Sequence, residues 1–314
     1  MARPRRPPGE LMRNATTVIA RTLLLALTLA VVPGGATVCL GTEPPGGMPE
    51  GTTVHRDLAY VTDGHPRQKL DLYVPEAEGP LPLVVYIHGG AFRAGDKAEH
   101  PPLEYLAEGY ALAAINYRLS QHALFPAQIE DCRAAVRWLR AHASEYGLDP
   151  GRFAAGGTSA GGHLAAMVGT AHHVKVFDVG EHLDVSSGVQ AVLDYFGPTD
   201  FLQMDAHRLP SGMVHDTPDS PESQLVGGPI QGNEDRVARA NPITYVTADA
   251  PPFLIVHGDR DPLVPHHQSE LLASALERAG VPVTFYTVEG GGHGGFQDPK
   301  VPELTKAFLR EHLR

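Results

Sequence analysis

Residues 152–164 read RFAAGGTSAGGHL, and this stretch decides the fold of the chain. A short apolar segment, Arg152–Ala155, runs through glycine into Ser159. Gly157–Gly161 match G-x-S-x-G, the pattern of a serine on a sharp turn between a strand and a helix. Such a turn needs strained backbone, and glycine on both sides of the serine removes the Cβ atoms that would clash. The pattern therefore predicts a strand, a turn that exposes the Ser159 hydroxyl, and a helix over 160–169.

Around this stretch, apolar runs of strand length alternate with helical patterns. Leu83–Ile87 and Ala111–Ile115 are continuous apolar runs, as in buried parallel strands. Residues 126–143 carry apolar side chains three or four apart, which predicts a helix. We also expect an antiparallel hairpin of 54–61 and 69–74, strands at 189–195, 252–256 and 281–288, and helices at 269–279 and 302–313. The pattern predicts an α/β fold with a mostly parallel central sheet and helices on both faces.

Composition narrows the classes of protein that the chain can belong to. The 314 residues are 42% hydrophobic and 19% charged, so a packed core is expected and global disorder is not. The net charge of −11 argues against a nucleic-acid partner. Cys39 and Cys132 are the only cysteines, too few for a disulfide framework or a cysteine zinc site. Whether they pair is left open.

The 17 histidines raise the question of a metal site. His172–His173 and His266–His267 are adjacent pairs, whose side chains point apart on a helix or strand. The sequence contains no H-E-x-x-H motif, and three convergent ligands cannot be argued from the pattern. We therefore expect no metal and no other cofactor.

The first residues have the layout of a secretory signal peptide. Five arginines and one acid in residues 1–21 precede the uncharged run Thr22–Val32, which has 11 residues against the roughly 20 needed to span a bilayer. Small residues follow at 34–36. We predict a signal peptide at 1–36, an exposed tether at 37–51, and a secreted or periplasmic product without stable membrane insertion after cleavage. The alternative is an uncleaved anchor.

The remaining residues, 52–314, are predicted to form one domain. Within it, residues 199–248 break the alternation with several prolines and glycines. A long irregular insertion in a compact domain is often a functional loop, so we expect a lid-like insertion here. A simple surface excursion is the alternative.

His88–Phe92 (HGGAF) directly follows the predicted strand Leu83–Ile87. Two glycines let the backbone turn its N–H groups toward a bound carbonyl. We expect the N–H groups of Gly90, Ala91 and Ala160 to form an oxyanion hole. His88 is expected to brace this loop through hydrogen bonds, and an ordinary strand-end turn is the alternative.

Two more strand ends carry an acid and a histidine. Asp261 follows the strand 252–256 and could orient an imidazole, with Asp259 as the second choice. His293 lies in a glycine-rich loop after the last strand. The order Ser159, Asp261, His293 is the one expected of α/β-hydrolases. His163, in contrast, is expected to be a scaffold residue.

The motifs resemble those of the α/β-hydrolase superfamily, in its esterase and lipase branch with an HGG oxyanion loop. The segments that carry the resemblance to the group of bifunctional feruloyl and acetyl-xylan esterases are His88–Phe92, GTSAGGHL at 157–164, DYFGPTD at 194–200, and His257–Pro265. The resemblance runs from about residue 52 to the C-terminus. Two departures are Ala91, where lipase-like relatives often carry a third glycine, and the lack of an evident N-terminal cap domain.

This resemblance implies a secreted serine esterase that acts through an acyl-enzyme on small acyl or aryl esters, with carbohydrate-linked acetyl or feruloyl esters as candidates. Its partner is then a small-molecule or polysaccharide ester, and the oligomeric state is open. The alternatives are an aryl formamidase or peptidase on the same fold, or a binding protein on a hydrolase scaffold. If His293 is the base, the rate should rise with a midpoint near roughly pH 6–7.

Overall fold

Eight strands form one sheet in the order β1-β2-β4-β3-β5-β6-β7-β8 in the computed structural model, which describes residues 48–314. The predicted signal peptide and residues 37–47 of the predicted tether lie outside the described residues. The strands are β1 Thr53–Ala59, β2 Lys69–Val74, β3 Leu81–Ile87, β4 Ala111–Ile115, β5 Leu148–Thr158, β6 Ala191–Tyr195, β7 Phe253–Gly258 and β8 Val283–Val288. The first two pair as the predicted antiparallel hairpin, β2 is antiparallel to β4, and all other pairs are parallel.

Eight α-helices accompany the sheet within residues 48–314. They are α1 Glu104–Ala107, α2 Ala127–Ala141, α3 Ala160–Thr170, α4 Met204–His207, α5 Pro221–Val226, α6 Glu234–Ala240, α7 His267–Arg278 and α8 Lys300–Leu313. The four long helices were predicted within a few residues. The single turn α1 was missed because four residues show no periodicity. In this part of the chain no helix has both the length and the apolar character that crossing a membrane requires.

The central strands are buried on both faces, and this explains their continuous apolar runs. In β3, Leu83, Val85 and Ile87 join a core cluster with residues of α2, α3 and α7. Val84, between them, belongs to a second cluster with residues of α1 and α8. Alternate side chains of a strand point to opposite faces, so both faces must be apolar. The predicted mostly parallel sheet with helices on both faces is confirmed.

The insertion between β6 and β7 has more regular structure than its sequence indicates. It contains α4, α5 and α6, and its side chains Phe201, Leu225 and Val237 are fully or almost fully buried in the larger core cluster. Some of its prolines and glycines begin and end helices. Pro221 occupies the first turn of α5, and Gly227 ends this helix in the left-handed conformation. A high content of proline and glycine indicated a loop, but in the structure Pro221 and Gly227 mark the two ends of a helix.

Candidate active site

The predicted sharp turn lies at the end of β5. Ser159 has φ 55° and ψ −121°, a strained conformation for a residue with a side chain, and α3 begins at the next residue. Its backbone N–H donates to Tyr195 O at 2.9 Å, which ties the turn to β6. A Cβ on Gly157 would collide with the backbone of Gly161, and one on Gly161 would collide with the carbonyl of Ile87. The two glycines are therefore required by close backbone approach.

The loop after β3 is strained in the same way. Gly90, Ala91 and Phe92 have φ of 106°, 55° and 59°. The carbonyl of Gly90 accepts from the N–H groups of Arg93 and Ala94, both at 3.0 Å. Among the hydrogen bonds of residues 48–314, the loop N–H groups of Gly90 and Ala91 and the Ala160 N–H have no acceptor. Unpaired N–H groups at the predicted positions are what an oxyanion hole requires.

A buried cluster braces this loop from below. The Arg67 guanidinium donates to Gly95 O at 2.8 Å and contacts His88 Nε2 at 3.0 Å. Because Arg67 can only donate, His88 Nε2 accepts and Nδ1–H donates to Gly89 O at 2.7 Å. Burial lowers the pKa of His88 to about 4, so the ring is neutral. Tyr117 stacks on it and donates to its carbonyl at 3.1 Å. His88 thus braces the loop, as predicted.

Asp261 is the acid that contacts His293. Its Oδ2 lies 2.6 Å from His293 Nδ1, and its Oδ1 accepts from the N–H groups of Leu263 at 2.8 Å and Val264 at 3.0 Å. Burial by itself would raise the pKa of Asp261. The hydrogen bonds from His257 and His293 outweigh burial and hold this pKa well below its usual range. The carboxyl group is therefore charged and its orientation is fixed.

Asp259, the second choice from the sequence, has another role. Its Oδ1 accepts the N–H of Gly290 at 2.6 Å, at the start of the glycine-rich loop. It supports the loop that carries His293 and does not contact the imidazole through any described hydrogen bond. Of the two aspartates, Asp261 is the one that contacts His293 in the structure, and its role as the orienting acid stays a prediction.

Ser159 and His293 approach the same pair of residues, Tyr195 and Phe196. The N–H of Ser159 donates to Tyr195 O, and the ring of Phe196 lies 4.7 Å from the ring of His293. The described hydrogen bonds include the Asp261–His293 contact but none between the Ser159 hydroxyl and His293. The structure therefore brings acid and base together and leaves the transfer of a proton from Ser159 to His293 a prediction.

The aromatic side chains near the motifs divide into two groups. Phe92 and Tyr117 are buried in the core cluster. Tyr195 and Phe296 line a cavity of about 580 Å³ beside the turn, and Phe196 packs against His293 and Phe296. Which group each residue joins depends on the strand face and loop that carry it.

His163 is a scaffold residue, as predicted. It is fully buried, its Nδ1 lies 2.8 Å from Pro198 O, and burial lowers its pKa to about 4. Within residues 48–314, no group of three or more histidines, cysteines, aspartates or glutamates could hold a metal ion.

Three site residues were not identified from the sequence. Arg67 lies outside every motif, and no sequence signal marks it. Asp194 and His257 lie inside quoted motifs without an assigned role. Asp194 is buried at the end of β6 and contacts the N–H of Gly197 at 2.9 Å. His257 contacts Asp261 at 3.1 Å. The signal for both was a polar residue in an otherwise apolar strand.

A serine on a strained strand-to-helix turn, with an acid and a histidine on loops after the last two strands of a mostly parallel sheet, defines an α/β-hydrolase. Residues 70–276 match the model of the BD-FAE family, so the chain belongs to this family.

Known proteins agree with this assignment. The chain is 36% identical over 205 residues to the probable carboxylic ester hydrolase LipM of Mycobacterium tuberculosis. The aligned residues cover 64% of this chain and 46% of LipM. The structure resembles a truncated carbohydrate esterase from gut microbiota, with 34% identity and TM-score 0.78 over 85% of this chain and 99% of the other. It also resembles the bifunctional GH43-CE protein of Bacteroides eggerthii, with 36% identity and TM-score 0.75 over 82% of this chain and 38% of the other. The chain thus spans about half the length of LipM.

Proposed function

We propose that the chain is a serine esterase that hydrolyses small acyl or aryl esters through an acyl-enzyme on Ser159. The observation that carries the proposal is the 2.6 Å contact of His293 with the charged, buried Asp261, on the loop next to a strained serine turn. This is the arrangement in which an imidazole accepts a serine proton. The names of the relatives, an ester hydrolase and a carbohydrate esterase, support it.

The proposed reaction has two halves. His293 Nε2 takes the Ser159 proton as the serine oxygen attacks the ester carbonyl, and Asp261 stabilises the resulting imidazolium. The N–H groups of Gly90, Ala91 and Ala160 receive the negative charge of the carbonyl oxygen. His293 then gives its proton to the leaving alcohol, and water attacks the acyl-enzyme by the same route. Each N–H donor is expected to contribute about 3 kcal/mol to transition-state stabilisation.

The substrate class is proposed from the cavity beside the turn. Its volume is about 580 Å³, and its walls include Tyr86, Thr158, Tyr195 and Phe296. Aromatic faces and hydroxyl groups suit a ring that carries both apolar faces and hydroxyls. Together with the names of the similar structures, this supports carbohydrate-linked acetyl or feruloyl esters as substrates. A predicted signal peptide at 1–36 makes a secreted or periplasmic site of action part of the proposal.

The proposal is tested by labelling and by a substrate panel. A serine-directed organophosphate should add its mass to the peptide that contains Ser159, and Ser159→Ala should abolish both labelling and turnover while the circular dichroism spectrum stays unchanged. Turnover of the Ser159→Ala variant at the wild-type rate would refute the assignment. Failure of the wild type to react with the organophosphate would favour the binding-protein alternative.

The panel compares p-nitrophenyl acetate, butyrate and octanoate with methyl ferulate, acetylated xylan, an N-formyl arylamine and a peptide. Hydrolysis of the formamide or the peptide, without the esters, would replace the esterase by one of its alternatives. Val301→Trp, on the cavity wall, should lower kcat/KM for methyl ferulate more than for the acetate. Glu303→Trp, an exposed position on the same helix, is the matched control.

A further inference from the structure

His257 is a buried polar residue for which neither the sequence nor the proposed reaction provides a role. It is the penultimate residue of β7 and has no exposed surface. Its Nε2 lies 3.1 Å from Asp261 Oδ2 and 3.0 Å from Val264 O, and its Nδ1 lies 2.7 Å from the hydroxyl oxygen of Ser269. Both ring nitrogens therefore have partners, one on the loop that carries Asp261 and the other on α7.

These partners determine which ring nitrogen donates to Asp261. A carboxylate oxygen and a carbonyl oxygen face Nε2, and both can only accept, so Nε2 carries the proton. Nδ1 then accepts, and the Ser269 hydroxyl donates to it. The two oxygens that face Nε2 thus set the tautomer of His257 and direct its N–H at Asp261, and the Ser269 hydroxyl on α7 holds the opposite side of the ring.

Asp261 Oδ2 consequently accepts from two imidazoles, His293 at 2.6 Å and His257 at 3.1 Å. We infer that His257 is a positioning residue, which fixes the Asp261 carboxylate so that its Oδ2 stays directed at His293 Nδ1. This inference rests on the proposed function, in which His293 is the base. His257 touches neither the serine nor the substrate in this proposal and acts only through Asp261.

Electrostatics support the inference. Burial would raise the pKa of Asp261, and the His257 hydrogen bond is first among the contacts that lower it. The other titratable groups around His257 are His293, through the shared Asp261, and His266, whose ring centre lies 5.5 Å away. His266 is in turn paired with Glu270 at 3.4 Å. Without the N–H of His257, Asp261 would have one donor fewer in the same buried place.

Two substitutions at position 257 separate positioning from packing. His257→Leu removes the N–H donor, and we expect kcat on p-nitrophenyl acetate to fall about 100-fold, the size typical of a misplaced catalytic group, with KM changed less than about threefold. His257→Gln places an amide N–H where Nε2 was, and kcat should stay within about fivefold of wild type. Ser269→Ala removes only the hydroxyl that holds His257 Nδ1 and should give a loss of about three- to tenfold.

A double-mutant comparison shows whether the effect passes through Asp261. In the Asp261→Asn background, His257→Leu should lower the residual kcat by less than about twofold, because the carboxylate it positions is already absent. A further loss as large as in the wild type would overturn the inference. Wild-type kcat in His257→Leu, or equal losses in the Leu and Gln variants, would also overturn it.

Proton NMR provides a readout that does not require turnover or a leucine variant that folds. The Nδ1–H of His293, bound to Asp261 at 2.6 Å, should give a low-field resonance in wild type. In Ser269→Ala this resonance should shift or broaden, whereas in His257→Gln, which keeps an N–H donor to Asp261, it should stay closer to its wild-type position. An unchanged resonance in Ser269→Ala would overturn the inference. If the wild type hydrolyses no ester and Ser159 is not labelled, the proposed function fails, whereas the NMR comparison still tests the contact.

Discussion

Asp194 and Asp261 are buried almost equally, with 1% and 2% of their surface exposed, but their carboxyl groups have opposite surroundings. They lie at the ends of the neighbouring strands β6 and β7. Asp261 accepts hydrogen bonds from two imidazoles and two backbone N–H groups. Asp194 accepts one, from Gly197 N–H at 2.9 Å, and within residues 48–314 its Oδ2 has no partner.

The pKa values of these two carboxyl groups differ because the number of their hydrogen-bond donors differs, although both are almost equally buried. Burial raises the pKa of Asp194 to about 7, against the opposing hydrogen bond from Gly197. Burial acts on Asp261 in the same direction, but its donors hold that pKa well below the usual range. A carboxylate that orients a base must be charged, and charge in a buried place requires several donors. The comparison therefore separates a carboxylate suited to catalysis from one that is merely enclosed.

The largest expected effect is that of Asp261→Asn. An amide in this place can hold His293 in the wrong tautomer and cannot stabilise the imidazolium, so kcat on p-nitrophenyl acetate should fall about 10⁴-fold. Steady-state kinetics on the purified full chain measure this loss. A variant that keeps a tenth of the wild-type kcat would show that Asp261 does not act on the base.

Gly162→Ala tests how tightly Asp194 is enclosed. Helix propensity alone predicts that alanine in α3 stabilises the protein by about 1 kcal/mol. A Cβ at this position, however, would collide with Asp194 Oδ1 and lie 2.9 Å from the carbonyl of Tyr195. We expect the free energy of unfolding to fall by about 1–3 kcal/mol, measured by urea denaturation. Stabilisation would mean that the surroundings of Asp194 are loose.

Asp194→Asn should change how stability depends on pH. The folded pKa of about 7 lies above the ordinary value for aspartate, so between about pH 4 and 7 the folded state holds a proton that the unfolded state has lost. The wild-type free energy of unfolding should therefore decrease as pH rises through this window, by up to about 1.4 kcal/mol per pH unit from this group. Asparagine does not titrate, so the variant should lack this contribution.

The measurement is a set of urea denaturation curves for wild type and Asp194→Asn from pH 4.5 to 8. The difference between the two should move in favour of the variant as pH rises. A difference that is constant with pH would show that the Asp194 pKa is not raised.

The smallest effect is expected for Asp259→Asn, the matched control for Asp261→Asn in the same turn. Asparagine keeps an oxygen that can accept the N–H of Gly290, so the support of the His293 loop should survive. We expect kcat and KM within about threefold of wild type. A loss comparable to that of Asp261→Asn would reverse the assignment of the orienting acid.

Much of the fold could be predicted because local patterns and tertiary environment agree. The runs Leu83–Ile87 and Ala111–Ile115 are apolar because both faces of these strands are covered. The glycines around Ser159 are required because the turn packs closely against itself and against the end of β3. The insertion at 199–248 was harder to predict. Its α-helices have four to seven residues, too few to show a period, and their stability comes from buried side chains such as Leu225 and Val237.

The site divides along the same line. Ser159 and His293 could be named from the glycines beside them, but Asp259 and Asp261 could not be told apart, since both are ordinary turn residues. The partner of His293 is decided by which side chain the turn directs inward. Arg67 could not be found at all, because it lies just before β2, 21 residues before His88 in the chain, and reaches the oxyanion loop only in the folded protein.

The amino-acid sequence by itself determined the order of strands and helices along the chain, the strained turn at Ser159 and the residue types available for chemistry, because each of these leaves a pattern within a short stretch of sequence. Only the tertiary structure decided which of two aspartates meets His293, which buried carboxyl group is charged, and that His257 shares Asp261 with His293. These properties depend on how many hydrogen-bond donors distant segments of the chain bring to each carboxyl group, and a local sequence pattern does not show that number.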